Sequence, residues 1–158
     1  MRQFTRFISR GLKYGTLLTT LGFVLVILLQ IFARLLLPTA PSWTEEAARV
    51  FFILAIGCSA GLALRSGEYV YFDFFYRRLS PTGQQRLSFV SDLLTVVLFA
   101  LFSGYALQFT GMGLAERSPS LRLTMAIPFG AMLLLGLSCL VFAVDRLRHH
   151  FAAQSADQ

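Results

Sequence analysis

Four long stretches without a charged residue constrain this chain more than any other feature of its sequence. They cover positions 14–33, 50–64, 93–115 and 123–144. Three of them reach the roughly 20 residues with which an α-helix crosses about 30 Å of hydrocarbon, and the second reaches that length when its polar flanks are included. The chain is also 56% hydrophobic and only 14% charged, which is more apolar surface than a soluble domain covers. We therefore predict an all-α membrane protein with four transmembrane helices.

The predicted helices form a single membrane domain over residues 1–158. Their expected bounds are roughly 14–36, 43–65, 88–113 and 122–145. Two further segments, roughly 2–12 and 70–80, carry apolar and aromatic residues at helical spacing beside charged residues. This pattern is typical of amphipathic helices that lie in the headgroup layer. For the first segment, a solvated basic start is an equally compatible interpretation.

The distribution of lysine and arginine predicts the orientation of the chain in the membrane. Ten of these residues lie before the first run, between the second and third runs, and after the fourth run, and four lie in the other two loops. Basic residues are enriched in cytoplasmic loops, so both termini and the middle loop are expected in the cytoplasm. The net charge of +6 is thus divided among loops at the membrane surface, and we expect membrane lipid and no nucleic acid as a partner.

The second run has polar residues concentrated at its predicted outer end. Ser42 and Glu45 have the spacing of a capping box, which places the start of the second helix near Trp43. Glu45 and Glu46 lie four and three positions before Arg49, so all three side chains share one helix face. Trp43 is typical of the membrane interface.

Small residues inside the second and fourth runs indicate how the helices pack. Gly57 and Gly61 form a G-x-x-x-G pattern that lets another helix approach closely. Cys58 and Cys139 lie in apolar runs outside any C-x-x-C motif and are interpreted as small hydrophobic residues. Pro128 is expected to loosen or kink the fourth helix.

Several functional classes lack their characteristic residues in this sequence. Asp92 lies near the inner end of the third run and is expected to be a boundary residue, with Arg86 as its candidate partner. His149 and His150 follow the last run, so no pair of axial haem ligands lies within the membrane. A quinone-linked disulfide oxidase, a haem anchor subunit and a small drug antiporter are therefore disfavoured. We predict no catalytic residue, no cofactor site and no metal site, and a membrane subunit that functions through contacts.

A combined motif resembles a known family. It comprises W-T-E-E-A-A-R at 43–49, Gly57, L-R-S-G at 64–67 and V-Y-F-D at 70–73. The pattern is similar to that of the small membrane subunit, of DctQ type, of tripartite ATP-independent periplasmic (TRAP) transporters. Tyr69 is a departure, because the family often has histidine at this point; this bears on the sub-family and the substrate.

The resemblance implies a subunit of the bacterial inner membrane within a sodium-driven symporter that takes up organic acids. The partners would be a large multi-span TRAP permease subunit and a periplasmic substrate-binding protein, and this chain would be a fixed scaffold. The alternative class is an autonomous channel or exporter formed by identical copies of the chain. The expected large-subunit interface consists of Trp43, Glu45, Glu46, Arg49, Gly57, Gly61, Arg65, Gly67 and Asp73. The expected contacts to the binding protein are Trp43, Glu116 and Arg117.

Overall fold

The fold consists of four long helices. The structure, a computed structural model, describes residues 2–37, 41–66 and 80–154. The helices are α1 (Arg2–Leu36), α2 (Ser42–Ser66), α3 (Pro81–Met112) and α4 (Ala126–Gln154). Each of them is long and apolar enough to cross a membrane, which confirms the predicted all-α class with four spans.

Helix α1 joins two segments that the sequence pattern separates. The predicted interfacial segment 2–12 and the predicted span 14–36 are one uninterrupted helix of 35 residues. At about 1.5 Å per residue its length is about 52 Å, well beyond the roughly 30 Å of hydrocarbon. No proline divides the two segments, and Gly11 continues the helix with open space around it. The basic first turns are therefore a rigid extension of the first span.

Helices α3 and α4 begin at positions that differ from the sequence-based bounds. The hydroxyl of Ser80 accepts a hydrogen bond from the amide of Gly83 at 3.3 Å, so α3 begins at Pro81 rather than near residue 88. Helix α4 begins at Ala126, which places Pro128 in its first turn. A proline there removes an amide that has no partner within the helix, so the predicted kink inside the fourth span is wrong.

The helices pack as a row in the order α1, α2, α4, α3. Helix α1 contacts α2, α2 contacts α4, and α4 contacts α3. In the most apolar stretch of each central helix, 33% of the residues are buried inside the protein. The corresponding shares are 6% for α1 and 11% for α3. The row therefore leaves one broad apolar face open on α1 and another on α3.

Close contacts between the central helices depend on the two glycines of the G-x-x-x-G pattern. A Cβ atom at Gly57 would lie 2.5 Å from the carbonyl oxygen of Ala131, and one at Gly61 would lie 2.5 Å from the hydroxyl of Ser138. Both contacts lie on α4 of the same chain. The predicted G-x-x-x-G contact thus lies between α2 and α4.

A small buried cluster lies where α1, α2 and α4 meet. Cys58 and Cys139 belong to it as free, buried thiols, in agreement with their interpretation as small hydrophobic residues. The other buried members are Leu12, Leu64, Phe142 and Ala143. The predicted interfacial segment 70–80, apart from Ser80, lies outside the described residues, and so do Gly67, Tyr69 and Asp73.

Candidate functional site

Helix α2 begins at Ser42, one residue before Trp43. The amide and the hydroxyl of Thr44 both donate to the carbonyl oxygen of Pro41, at 3.2 Å and 2.8 Å. Thr44 is fully buried. The predicted capping box is not formed, because Ser42 and Glu45 have partners elsewhere in the chain. The side chains of Ser42 and Glu45 connect α2 to neighbouring segments instead of capping its first turn.

Glu45 connects α2 to α1. Its carboxylate forms a short ion pair with the guanidinium of Arg34, in the last turn of α1. Both side chains are more than half exposed, at 55% and 58%. Because exposed ion pairs contribute little free energy, this contact sets the relative position of the two helix ends more than it stabilises the fold.

Glu46 connects α2 to the loop between α3 and α4. Its carboxylate accepts hydrogen bonds from the backbone amides of Ser120 at 3.1 Å and Leu121 at 2.8 Å. The hydroxyls of Ser42 and Ser120 lie 2.9 Å apart and form a third hydrogen bond between the same two segments. Hydrogen bonds to an ionised carboxylate are stronger than those between neutral groups, so this loop is tied to the start of α2.

The loop that Glu46 binds has a defined backbone structure. The amide of Ser118 donates to Leu123 at 2.8 Å and the amide of Met125 donates to Glu116 at 3.0 Å, around an antiparallel bridge between Arg117 and Thr124. These bonds close a short hairpin. The side chains of Glu116 and Arg117 are exposed on it.

The turn of this hairpin contains a residue in the left-handed region. Arg122 has a φ of 53°, which is uncommon outside glycine, asparagine and aspartate, because a Cβ atom comes close to the backbone in this region. The hydrogen bonds on either side of the turn, together with those to Glu46, hold Arg122 in this conformation.

Arg65 connects the carboxyl-terminal end of α2 to two neighbouring helices. Its guanidinium donates a short hydrogen bond to the hydroxyl of Ser9 on α1. It also lies 5.9 Å from the centroid of the Phe142 ring on α4, within the range of a cation–π contact. A single side chain therefore links α1, α2 and α4 at this end.

An ion pair joins α3 to α4 within the spanning segments. Nε of Arg146 lies 3.9 Å from a carboxylate oxygen of Asp92, whose residue is only 8% exposed. Arg86, the partner suggested by the sequence, is exposed on α3. Burying a charged side chain in the protein is costly unless the charge is paired, and Arg146 on the neighbouring helix is a partner for Asp92.

The chemistry available at these contacts is that of packing and hydrogen bonding. Over residues 2–37, 41–66 and 80–154, no group of three or more histidine, cysteine, aspartate and glutamate side chains is arranged to hold a metal ion. The polar groups described above bind one another across helix boundaries. The candidate site is accordingly an arrangement of contacts at the two ends of α2.

Comparison with known proteins identifies the family of this chain. Residues 23–153 match the family described as tripartite ATP-independent periplasmic transporters, DctQ component. The chain belongs to the DctQ family. A curated relative from Haemophilus influenzae, described as a TRAP transporter small permease protein, is 24% identical over 148 residues. That alignment covers 93% of this chain and 91% of the relative.

Membership of the DctQ family makes this chain a multi-pass membrane protein and a small permease component of the TRAP type. The DctQ family is a family of transporter components and not of enzymes. The resemblance based on residues 43–73 is thereby confirmed, and the match extends over most of the chain.

The predicted site residues of this DctQ protein that the structure describes lie in two environments. Glu45, Glu46 and Arg65 bind other segments of the same chain, and Gly57 and Gly61 face α4. Four side chains are exposed near the amino-terminal end of α2 and on the hairpin, namely Trp43, Arg49, Glu116 and Arg117. Gly67 and Asp73 lie outside the described residues.

The sequence alone did not predict the partners of Glu45, Glu46, Arg65 and Asp92. Arg34 carried a usable signal, because it is the cation that ends the first span and it precedes Glu45 by only 11 positions. Ser9, Ser120 and Arg146 carried no such signal, since they lie 56, 74 and 54 positions from Arg65, Glu46 and Asp92.

Proposed function

We propose that this chain is the small permease subunit of a TRAP importer and that it braces the large permease subunit. The observation that carries the proposal is that both ends of α2 are tied to neighbouring segments of the same chain. Membership of the DctQ family supports the assignment to a tripartite transporter. A brace requires a rigid shape and open side faces, and it requires no ion pathway of its own.

The rigidity of the row has three physical sources. At the outer end, Glu45 and Glu46 hold α1 and the hairpin loop against α2. In the middle, Gly57 and Gly61 bring α2 and α4 into close contact. At the inner end, Arg65 reaches both α1 and α4. In this proposal these five residues support the interface with the large subunit by fixing the positions of the helices that form it.

The remaining predicted interface residues have a direct role in the proposal. Trp43 is 43% exposed and Arg49 is exposed at the outer end of α2, where a partner chain could reach both. Gly67 and Asp73 follow the inner end of α2 in the sequence and are proposed as contacts with the large subunit at that side of the membrane. The open faces of α1 and α3 supply the apolar surface for lipid and for the partner's helices.

We further propose that the outer hairpin helps to seat a periplasmic substrate-binding protein. Glu116 and Arg117 are exposed on the hairpin, and Trp43 is partly exposed on the helix end that the hairpin contacts. Transient docking relies on polar residues at the rim of an interface, and an acidic, a basic and an aromatic side chain provide that combination.

The description of the family bears on the energy source of the proposed transporter. The family is described as ATP-independent, so accumulation of a solute has to be driven by an existing gradient. We propose a sodium gradient as the driving force and organic anions as the cargo. We also propose the bacterial inner membrane as the location, with both termini in the cytoplasm, which the ten inner against four outer basic residues support. Uptake that persists without a sodium gradient would contradict the proposed coupling.

The scaffold role is tested by co-purification of the tagged full chain with its large subunit. Glu45→Ala combined with Arg49→Ala should lower the recovery of the large subunit and the rate of uptake. The matched control is Glu116→Ala combined with Arg117→Ala, which also removes one acid and one arginine from the outer end. This control should retain the large subunit and lose stimulation by the binding protein. Wild-type recovery and uptake in the first variant would reject the scaffold role of these residues.

The alternative function is an autonomous channel or exporter made of identical copies. It requires Gly57 and Gly61 to line a contact between copies, whereas both glycines contact α4 of their own chain. The two functions are distinguished by reconstituting the purified chain alone in liposomes. The scaffold proposal expects no solute flux, and flux without the large subunit would favour the channel.

A further inference from the structure

The first turns of α1 carry a continuous basic stripe. Arg6, Arg10 and Lys13 are separated by four and three positions, and at 3.6 residues per turn they lie within about 60° of one another around the helix. All three side chains are exposed. Phe7 and Tyr14 flank the stripe and are 79% and 70% exposed. None of the contacts described above involves these three cations or the two exposed rings.

A neighbouring side of the same turns, centred about 100° from the stripe around the helix, is packed against the rest of the protein. Thr5 and Ser9 are buried, and the hydroxyl of Ser9 accepts a hydrogen bond from Arg65 of α2. Leu12 belongs to the buried cluster between α1, α2 and α4. The stripe is therefore held on an exposed side of α1 that adjoins the packed side.

The uncharged run of α1 gives the stripe a defined depth. Residues 14–33 carry no charge, and 20 helical residues correspond to about 30 Å, the thickness of the hydrocarbon layer. Arg34 follows this run, and Tyr14 begins it. Tyr14 therefore lies near the edge of the hydrocarbon, as an interfacial tyrosine does.

The residues on either side of Tyr14 agree with this depth. On the same face of α1, the chain changes from exposed cations before Tyr14 to exposed leucines after it, with Leu17 67% and Leu21 56% exposed. At this depth Lys13 and Arg10 lie in the layer of lipid headgroups, and Arg6 lies near the boundary between that layer and water. Three cations thus cross the headgroup layer along an upright helix instead of lying parallel to the surface.

We propose that Arg6, Arg10 and Lys13 form a binding site for the headgroups of anionic phospholipids in the leaflet that surrounds the amino-terminal end of α1. Charge complementarity favours this occupant, since three clustered cations face a layer in which phosphate is the abundant anion. Arginine can bind a phosphate oxygen pair through two parallel N–H groups, and lysine adds a flexible point charge. The neighbouring leucines of α1 lie where the acyl chains of the same lipids would be.

The site is tested by native mass spectrometry of the full chain in neutral detergent. The added lipids are phosphatidylglycerol and phosphatidylcholine with identical acyl chains. Wild-type protein should bind phosphatidylglycerol more tightly. Each basic residue near an anionic surface contributes about fivefold in affinity, so Arg10→Gln combined with Lys13→Gln should weaken that binding by on the order of tenfold or more. Binding of phosphatidylcholine should not change.

Two matched variants complete the experiment. Arg117→Gln combined with Arg122→Gln removes the same charge from the outer hairpin and should leave the preference for phosphatidylglycerol intact. Arg10→Lys combined with Lys13→Arg keeps the charge and should also preserve the preference for phosphatidylglycerol. This variant still tests the proposal if the neutralised variant yields too little folded protein. Loss of the preference in the folded, charge-preserving variant would overturn the proposal.

Three other outcomes would also overturn it. The first is equal affinity of the wild type for the two lipids, and the second is unchanged affinity in the neutralised variant. The third is a neutralised variant that still binds phosphatidylglycerol but no longer co-purifies with the large subunit, because the stripe would then contact protein. None of these outcomes depends on transport activity, so the lipid site and the scaffold role succeed or fail separately.

Discussion

The carboxylate of Glu46 accepts a hydrogen bond from the backbone amide of Leu121 at 2.8 Å, although the two residues are 75 positions apart in the chain. Through this bond the first turn of α2 holds the hairpin between α3 and α4. Since α4 packs against α2 and α3 packs against α4, the bond also connects the start of α2 to the far end of the row. The proposed docking residues Glu116 and Arg117 are presented on a hairpin that is anchored in this way.

Replacing Glu46 should loosen this hairpin without unfolding the helices. Glu46→Ala removes the acceptor for the amides of Ser120 and Leu121, so both amides should exchange with solvent faster. Hydrogen–deuterium exchange of the purified chain measures this directly. Glu45→Ala is the matched control, because its carboxylate binds Arg34 and not the hairpin. Equal exchange in the two variants would contradict the anchoring role of Glu46.

The contact between α2 and α4 should not tolerate a methyl group at Gly57. The added Cβ would lie 2.5 Å from the carbonyl oxygen of Ala131, a backbone atom that moves only with its helix. We expect Gly57→Ala to destabilise the fold by about 1–3 kcal/mol, as overpacking does in well-packed interiors. Gly104→Ala is the control, since no heavy atom lies within 4 Å of that position.

Thermal unfolding in detergent compares the two glycine variants. Gly57→Ala should lower the unfolding midpoint, and Gly104→Ala should leave it unchanged or raise it slightly through the higher helix propensity of alanine. A Gly57→Ala protein as stable as the wild type would show that α2 and α4 can separate at no cost, which contradicts the packing described here.

Asp92 and Arg146 should show a strong energetic coupling. Arg146→Gln leaves a buried carboxylate without its ion-pair partner on α4, and we expect a destabilisation of about 1–3 kcal/mol, the cost of a buried polar group that loses a partner. Adding Asp92→Asn removes that buried charge, so the double variant should recover much of the lost stability. Unfolding midpoints of the wild type, the two single variants and the double variant give the coupling. Additive effects of the two substitutions would exclude a functional ion pair between them.

Arg65 should not be replaceable by lysine. Lysine keeps the charge but lacks the planar group that contacts both the Ser9 hydroxyl and the Phe142 ring. We expect Arg65→Lys to cost about 1 kcal/mol, the scale of a cation–π contact. Arg10→Lys serves as the control, because Arg10 is exposed on the outer side of α1. Unfolding midpoints that fall equally in the two variants would assign the effect to the substitution type and not to the contacts of Arg65.

Local features of the sequence were sufficient for the number of the spans. They also located the polar ends of α2, where Glu45, Glu46 and Arg65 form their contacts. The partners of these residues required the structure, and so did the position of Pro128 in the first turn of α4 instead of its interior. Ser42 shows why, because its capping-box spacing was correct and yet its hydroxyl binds Ser120, 78 positions away.

The sequence by itself determined that four helices cross the membrane, because the cost of placing a charge or an unpaired backbone group in hydrocarbon is counted residue by residue along the chain. Only the tertiary structure decided the order α1, α2, α4, α3, the contact of Gly57 and Gly61 with α4, and the pairing of Asp92 with Arg146. Apolar helix faces are chemically alike, and lipid competes with every one of them. The choice among them therefore depends on close packing and on a few polar contacts between distant positions, for which the sequence has no local signal.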